Sequence, residues 1–193
     1  MAIREILTSE HPALRQKAKK VKRVDDATQK LINDMFDSMR DARGLGLAAP
    51  QIGVSLRVLV IEMPADDDAA DETTEAQPRA KRQVKYSGEQ YALINPEIVK
   101  LEGEQFGEEG CLSIPGYIGM VRRAEKITVK GLNAKGKEIR VKGEGLLARA
   151  LQHEIDHLDG VLFTDRLEKP DDLYRLTDDG RVPAFQGGAR AEG

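Results

Sequence analysis

Apolar positions recur with helical spacing in two stretches of the chain and with strand-like runs between them. From about Asp26 to Arg43, Leu31, Ile32, Met35 and Met39 fall on one stripe, with Asp26 and Gln29 as a capping pair and Gly44 as the stop. The same period returns from about Glu144 to Leu158, ended by Gly160. Between them, Val58 to Ile61 is an unbroken apolar run that reads as a buried strand. YALIN, PEIVKL, KITVKGL and KEIRVKG read as further strands, the last two joined by a turn at Asn133 to Lys137. The pattern predicts an α+β fold, with mostly antiparallel strands packed around the second helix. No internal repeat is visible.

Three stretches break this pattern. GLGLAAPQIG, Gly44 to Gly53, alternates glycine with leucine, and suits an extended segment that another backbone can approach closely, with Gly46 as the point of approach. From Ala65 to about Gln90 large aliphatics nearly vanish; an acidic block (Asp66, Asp67, Asp68, Asp71, Glu72, Glu75) precedes a basic one (Arg79, Lys81, Arg82, Lys85). Such a segment buries too little surface to offset its ordering entropy, so it reads as a charged surface insertion at about 65–90, possible in form as a long hairpin closed by its two charge blocks. Residues 169–193 read as a polar C-terminal tail.

With 193 residues, the chain suits one catalytic-size domain, residues 1–168, plus extensions, at about 150 residues per domain. Aromatic residues are 4% and charged residues 33%, so the core must be aliphatic and the surface heavily charged. Thirty basic against 33 acidic side chains leave a net charge of −3, which argues against a general polyanion binder and against direct nucleic-acid binding. No apolar run reaches the ~18 residues of a membrane span, and the opening MAIREILTSEHPALRQK carries charges where a signal peptide has its apolar core. A cytoplasmic protein without membrane association is expected.

The sharpest chemical feature is QHEIDH, which sets His153 and His157 four residues apart on one face of the second helix. Followed backward, that face turns apolar through Ala150 and Leu146, the candidate walls of a dry pocket. Glu154 interrupts the neighbouring apolar line of Leu147, Leu151 and Leu158, where a carboxylate is costly without a polar partner. Water activated by a metal is such a partner, and a carboxylate beside it can act as general base and proton carrier. Two histidines at this spacing also occur as ordinary core residues; Glu154 is what separates the two readings.

A third ligand is needed. The long zinc-protease motif fails, because Phe163 stands where its last histidine belongs, and His11 lies in a polar segment that suits solvent. Asp165 or Glu168 would complete the other common protease arrangement. Cys111 competes, in GEEGCLSIPG, where Gly107, Gly110 and Gly116 permit tight backbone paths. As the single cysteine it cannot form an internal disulfide, and a lone thiol is often simply a buried apolar residue. A set of one sulfur and two nitrogens would leave a fourth tetrahedral position open, as catalytic rather than structural sites do.

Taken together, GLGLAAPQ at 44–51, EGCLS at 109–113 and QHEIDHLDG at 152–160 resemble, in order and spacing, the three signature motifs of the peptide deformylases. The resemblance covers roughly residues 1–168 apart from the insertion. It implies hydrolysis of the N-formyl group from the formyl-methionine that begins newly made proteins, with release of formate. By it, Cys111, His153 and His157 would hold one divalent metal, and metal-activated water would attack the formyl carbon. Glu154 would be the general acid/base, while the Gln51 side chain and the Leu112 backbone N–H would stabilise the oxyanion. The family lays its substrate out as an added strand beside the first glycine motif, in agreement with Gly46 as the point of approach, and places the methionine side chain in an apolar pocket, for which Leu45, Leu146 and Ala150 are the candidates; Gly110 is a further substrate-binding candidate. It favours Fe²⁺ and also accepts Zn²⁺, Ni²⁺ or Co²⁺, whereas ligand softness alone points to Zn²⁺. The implied partners are N-formylmethionyl peptides of nascent chains.

Three features go beyond that pattern. The charged insertion has no counterpart in short family members. Arg149, one turn before His153, is expected at the pocket rim with its stem packed and its head in water. Some members reach the ribosome through a basic C-terminal extension, but from Glu168 onward acidic side chains outnumber basic ones six to four, so the tail does not support ribosome association. Two competing readings are an endoprotease that uses a downstream carboxylate ligand, and a non-catalytic binder of nascent N-termini.

Overall fold

The computed structural model describes residues 2–65 and 85–185. In chain order its regular elements are α1 (Asp26–Asp41), β1 (Gly46–Ala48), β2 (Val58–Pro64), β3 (Tyr86–Glu102), β4 (Gln105–Cys111), β5 (Ile114–Arg123), β6 (Lys126–Leu132), β7 (Glu138–Glu144), α2 (Gly145–Leu158), β8 (Leu173–Thr177) and β9 (Gly180–Pro183). One sheet runs β1-β2-β3-β6-β7 and a second runs β4-β5-β8-β9. Every pairing between these strands is antiparallel, so the α+β expectation holds.

Strand β2 is buried on both faces, which explains its unbroken apolar run. Its side chains alternate across the sheet. Val58 and Val60 pack with Ile32, Met35, Phe36 and Met39 of α1, and Leu59 and Ile61 pack with Leu151, Ile155 and Leu158 of α2. Helix α2 lies on β1, β2, β6 and β7 and also touches β5 of the second sheet, so most of its residues are buried. No helix among the described residues is long and apolar enough to cross a membrane.

Local chemistry moves several boundaries. The N-cap of α1 is Asp25, whose Oδ1 accepts the Thr28 N–H at 2.9 Å, rather than the Asp26–Gln29 pair. The helix ends at Asp41, and the left-handed residue beyond it is Arg43 (φ 55°). Gly44 instead leaves room for Leu112: a Cβ there would lie 2.6 Å from Leu112 Cδ1, so that side chain would have to move. YALIN and PEIVKL form one strand, β3, not two. Asn95 takes φ 52° and the pairing with β6 shifts between Ile94 and Glu97, which lets Pro96 sit in a bulge without breaking the strand. The Asn95 amide holds this bulge by bonding Val21 N and O at 2.8 and 2.9 Å. The Asn133–Lys137 turn forms as expected, closed by Asn133 N–H to Lys137 O at 2.9 Å.

The charged insertion is shorter than its sequence suggests. Tyr86 and Gln90 already pair with Pro64 and Glu62, so the segment departs from the end of the β2–β3 hairpin. Its centre, 66–84, lies outside the described residues, as do both charge blocks apart from Lys85. The polar tail also contains structure: β8 and β9 form a hairpin that joins β5 through Tyr117↔Arg175 and Gly119↔Leu173.

Candidate metal centre

Helix α2 projects His153 and His157 from one face, as four-residue spacing dictates. Their Nε2 atoms are 3.2 Å apart, and Cys111 Sγ, delivered by the last residue of β4, is 3.2 Å from His157 Nε2. The three ligand atoms lie within 4.8 Å of one another and all three residues are buried. The downstream carboxylates are elsewhere. Asp165 pairs with Arg15 and accepts the Leu162 N–H at 2.8 Å, and Glu168 pairs with Arg122 at 2.6 Å. His11 caps an exposed turn, its Nδ1 accepting from Ala13 N–H at 3.2 Å. A thiol and two imidazoles suit a borderline divalent cation.

Glu154 sits beside this set, 4% exposed, with its Oε2 partnered by nothing among the described residues. Burial pushes its carboxyl up to about 7, against the opposing pull of His153. Its carboxylate occupies the bare face of Gly46: a Cβ on that glycine would fall 2.8 Å from Glu154 Cδ. The close approach expected at Gly46 is therefore made by a side chain. His157 is held well below its usual range, first by burial and then by His153, which favours the neutral ring that a ligand needs.

Gln51 follows β1 in a short 3₁₀ turn, Ala49–Ile52. Its Oε1 accepts the Ala48 N–H at 2.8 Å, which turns Nε2 toward Ser113 Oγ (3.2 Å) and Cys111 Sγ (3.6 Å). Leu112, next to the ligand sulfur, packs over Gly44. Among the substrate-binding candidates, Gly110 stands where the β4–β5 register shifts, and Leu45 precedes β1 with its carbonyl bonded to Glu62 N–H at 2.9 Å. Ala150 packs against the α2 side of the core, and Leu146 is 40% exposed.

Sequence reasoning missed the shell behind His153. His153 Nδ1 lies 2.9 Å from Glu109 Oε2, and Arg123 grips both oxygens of Glu109 through Nε (2.8 Å) and Nη2 (2.9 Å). Arg123 also reaches Asp156 at 2.6 Å, which Arg166 pairs at 2.7 Å. Burial alone would raise the Glu109 carboxyl, but the bonds from Arg123 and His153 outweigh it and hold it at about 2. A signal was present: Glu109 and Cys111 are two apart in a strand and so share a face. Arg149 corrects the rim expectation. It is 7% exposed, and its Nη1 lies 3.0 Å from both Glu109 Oε1 and Val121 O and 3.3 Å from Gly107 O.

A buried sulfur-and-two-nitrogen donor set beside an unpartnered helical carboxylate has the makeup of a mononuclear hydrolase centre. The polypeptide deformylase family profile matches residues 3–172, and the chain belongs to that family. It is an enzyme of this kind, an amide hydrolase acting on a linear amide. Curated relatives include the peptide deformylase of Thermomicrobium roseum, 50% identical over 179 residues (93% of this chain, 94% of the relative). That of Dehalococcoides mccartyi is 48% identical over 183 residues (95% and 97%). The crystal structure of a peptide deformylase from Legionella pneumophila superposes with a TM-score of 0.72 at 51% identity, covering 86% of this chain and 87% of that one. A Met-Ala-Ser-bound class I type b peptide deformylase from Acinetobacter baumannii gives 0.75 at 29% identity, covering 86% and 99%.

Proposed function

We propose that the chain removes the formyl group from the N-terminal formyl-methionine of nascent proteins and releases formate. The observation that carries this reading is the junction of two elements at one buried point: Cys111 from β4, and from α2 His153, His157 and Glu154, whose Oε2 has no partner among the described residues. Cys111, His153 and His157 would hold a divalent cation, which would supply the Lewis acidity that activates water at neutral pH. Glu154 takes the proton from the attacking water and returns it to the leaving amine, a role suited to a carboxyl raised to about 7. Gln51 Nε2, fixed through Ala48, and the Leu112 N–H donate to the developing oxyanion.

The substrate lies along β1, which among the described residues pairs with β2 alone and leaves its other edge open. Leu45 and its neighbour across the ladder, Glu62, are bonded, so Gly46 turns its own N–H and C=O to the open edge, where an extended peptide can add as a strand. Leu45, Leu146 and Ala150 line the methionine side chain, and Gly110 gives the backbone room beside Cys111. The tripeptide held by the Acinetobacter relative supports this class of ligand. The family resemblance favours Fe²⁺, with Zn²⁺, Ni²⁺ or Co²⁺ accepted. The enzyme acts in the cytoplasm on emerging chains. Residues 173–183 are built into a sheet, which removes them from service as a free ribosome-binding arm.

The test is formate release from a formyl-Met-Ala-Ser peptide by anaerobically purified protein, with metal content measured on the same sample. Formate that tracks bound metal and disappears on chelation is expected. No formate from fully metallated protein overturns the reading.

A further inference from the structure

Arg149 is a cation that the proposed reaction does not use, buried one helical turn before His153. Its guanidinium joins three elements. From α2, Nη1 reaches Glu109 Oε1 and Gly107 O on β4 and Val121 O on β5, and Gly107 and Val121 are register partners across the β4–β5 ladder. The group lies over the bare face of Gly107, where a Cβ would meet Nη2 at 3.1 Å and Cζ at 3.6 Å. Glu109 thus takes Arg123 on both oxygens and Arg149 on Oε1, while Oε2 also faces His153 Nδ1 at 2.9 Å.

We infer that Arg149 is a positioning residue for the metal ligand His153, acting through Glu109, and that Gly107 is the space that admits it. Arg123 reaches Glu109 from the neighbouring strand β5 and meets α2 at Asp156, one turn beyond His153, while Arg149 grips the same carboxylate from one turn before it. The imidazole comes from α2. Arg149 springs from that same helix, so its bonds to Glu109, Gly107 and Val121 fix the helix against β4 and β5 at the height of His153. The distance from Glu109 Oε2 to Nδ1 then cannot drift when the helix shifts. Partners that orient a ligating imidazole typically change metal affinity by about 10–100-fold when removed. This inference rests on Cys111, His153 and His157 being the metal ligands.

The experiment compares the zinc-loaded protein with Arg149→Met, Arg149→Lys and Gly107→Ala. Metal loss to a chelator is timed, and imidazole N–H signals are recorded on ¹⁵N-histidine samples. In Arg149→Met, metal loss is expected to be faster by roughly tenfold. The His153 Nδ1–H signal is expected to shift or broaden while that of His157 stays in place. Arg149→Lys retains a cation but not the planar fork, so it should recover only part of the retention. Gly107→Ala, which crowds the guanidinium without removing it, should show the same selective change at His153. Unchanged metal loss and an unchanged His153 signal in folded Arg149→Met overturn the inference, as does the same result in Gly107→Ala if the first variant fails to fold. Failure of the unsubstituted protein to hold zinc overturns the ligand assignment itself, and this inference with it.

Discussion

The carboxylate of Glu154 rests against the α-carbon of Gly46, so that a Cβ on the glycine would fall 2.8 Å from Glu154 Cδ and 2.9 Å from its Cγ. The helix that carries the proposed proton carrier and the strand proposed to border the substrate are therefore fitted to each other through a missing side chain.

Gly46→Ala should accordingly displace the Glu154 carboxylate. Loss of a well-placed general base costs about 10²–10⁴-fold in rate, so kcat/KM is expected to fall by at least ~10²-fold. Metal content should stay at the unsubstituted level, because the atoms nearest a Cβ on Gly46 belong to Glu154 and not to a candidate ligand. Activity above a tenth of the original with the metal retained would sink the fit described here.

Cys111→Ser separates the thiol from the downstream carboxylates as third ligand. Replacing a soft donor with an alcohol should leave the purified protein well below one metal per chain and lower activity by ~10²-fold or more. Asp165→Asn should be mild by comparison, since Asp165 is tied to Arg15 and the Leu162 N–H. Metal analysis and formate release on both variants decide the matter, and the reverse pattern would refute the assignment.

Phe163 stands where the long protease motif has its last histidine, and it is 1% exposed with its ring stacked 6.3 Å from that of His153. Phe163→Ala should cost about 3–5 kcal/mol of stability by opening a cavity behind the histidine. A urea unfolding midpoint within error of the unsubstituted protein would show that the ring carries none of this load.

Acid stability should depend on Asp34. Its carboxylate accepts from Lys30 Nζ at 2.7 Å, Ala2 N–H at 3.1 Å and Arg4 Nη2 at 3.2 Å. The Lys30 bond leads in lowering it from an ordinary 3.8 to about 2. A carboxyl depressed in the folded state stabilises fully above its unfolded value, and the contribution fades as pH falls from about 4 toward 2. Asp34→Asn should flatten that limb in unfolding curves taken between pH 2 and 5. An unaltered limb would place the acid sensitivity elsewhere.

The two helices, the β2 run and the β6–β7 hairpin were legible because periodicity and turn chemistry act locally. The three candidate donors were legible for a related reason, since helical spacing alone brings His153 and His157 together, while Cys111 rested on the resemblance carried by three motifs in order. What escaped is non-local. Pro96 argues against a continuous strand until Asn95 is seen to take a left-handed turn into a bulge. β8 is short and half-buried and β9 mostly exposed, and the hairpin they form exists because β5 offers β8 an edge. Arg149 reads as a rim residue because nothing in its neighbourhood announces that Glu109, forty positions earlier, is waiting for it.

The donor set is divided between two layers of the molecule. Cys111 ends a strand of the four-stranded sheet, whereas His153 and His157 stand on the helix packed against the five-stranded one. An ion held across that seam would be bound tightly only while the layers are docked, so by mass action its occupancy and their docking would rise and fall together. Removing it should loosen the seam before either sheet frays, and amide exchange along β4 and α2 becomes a gauge of cofactor loading.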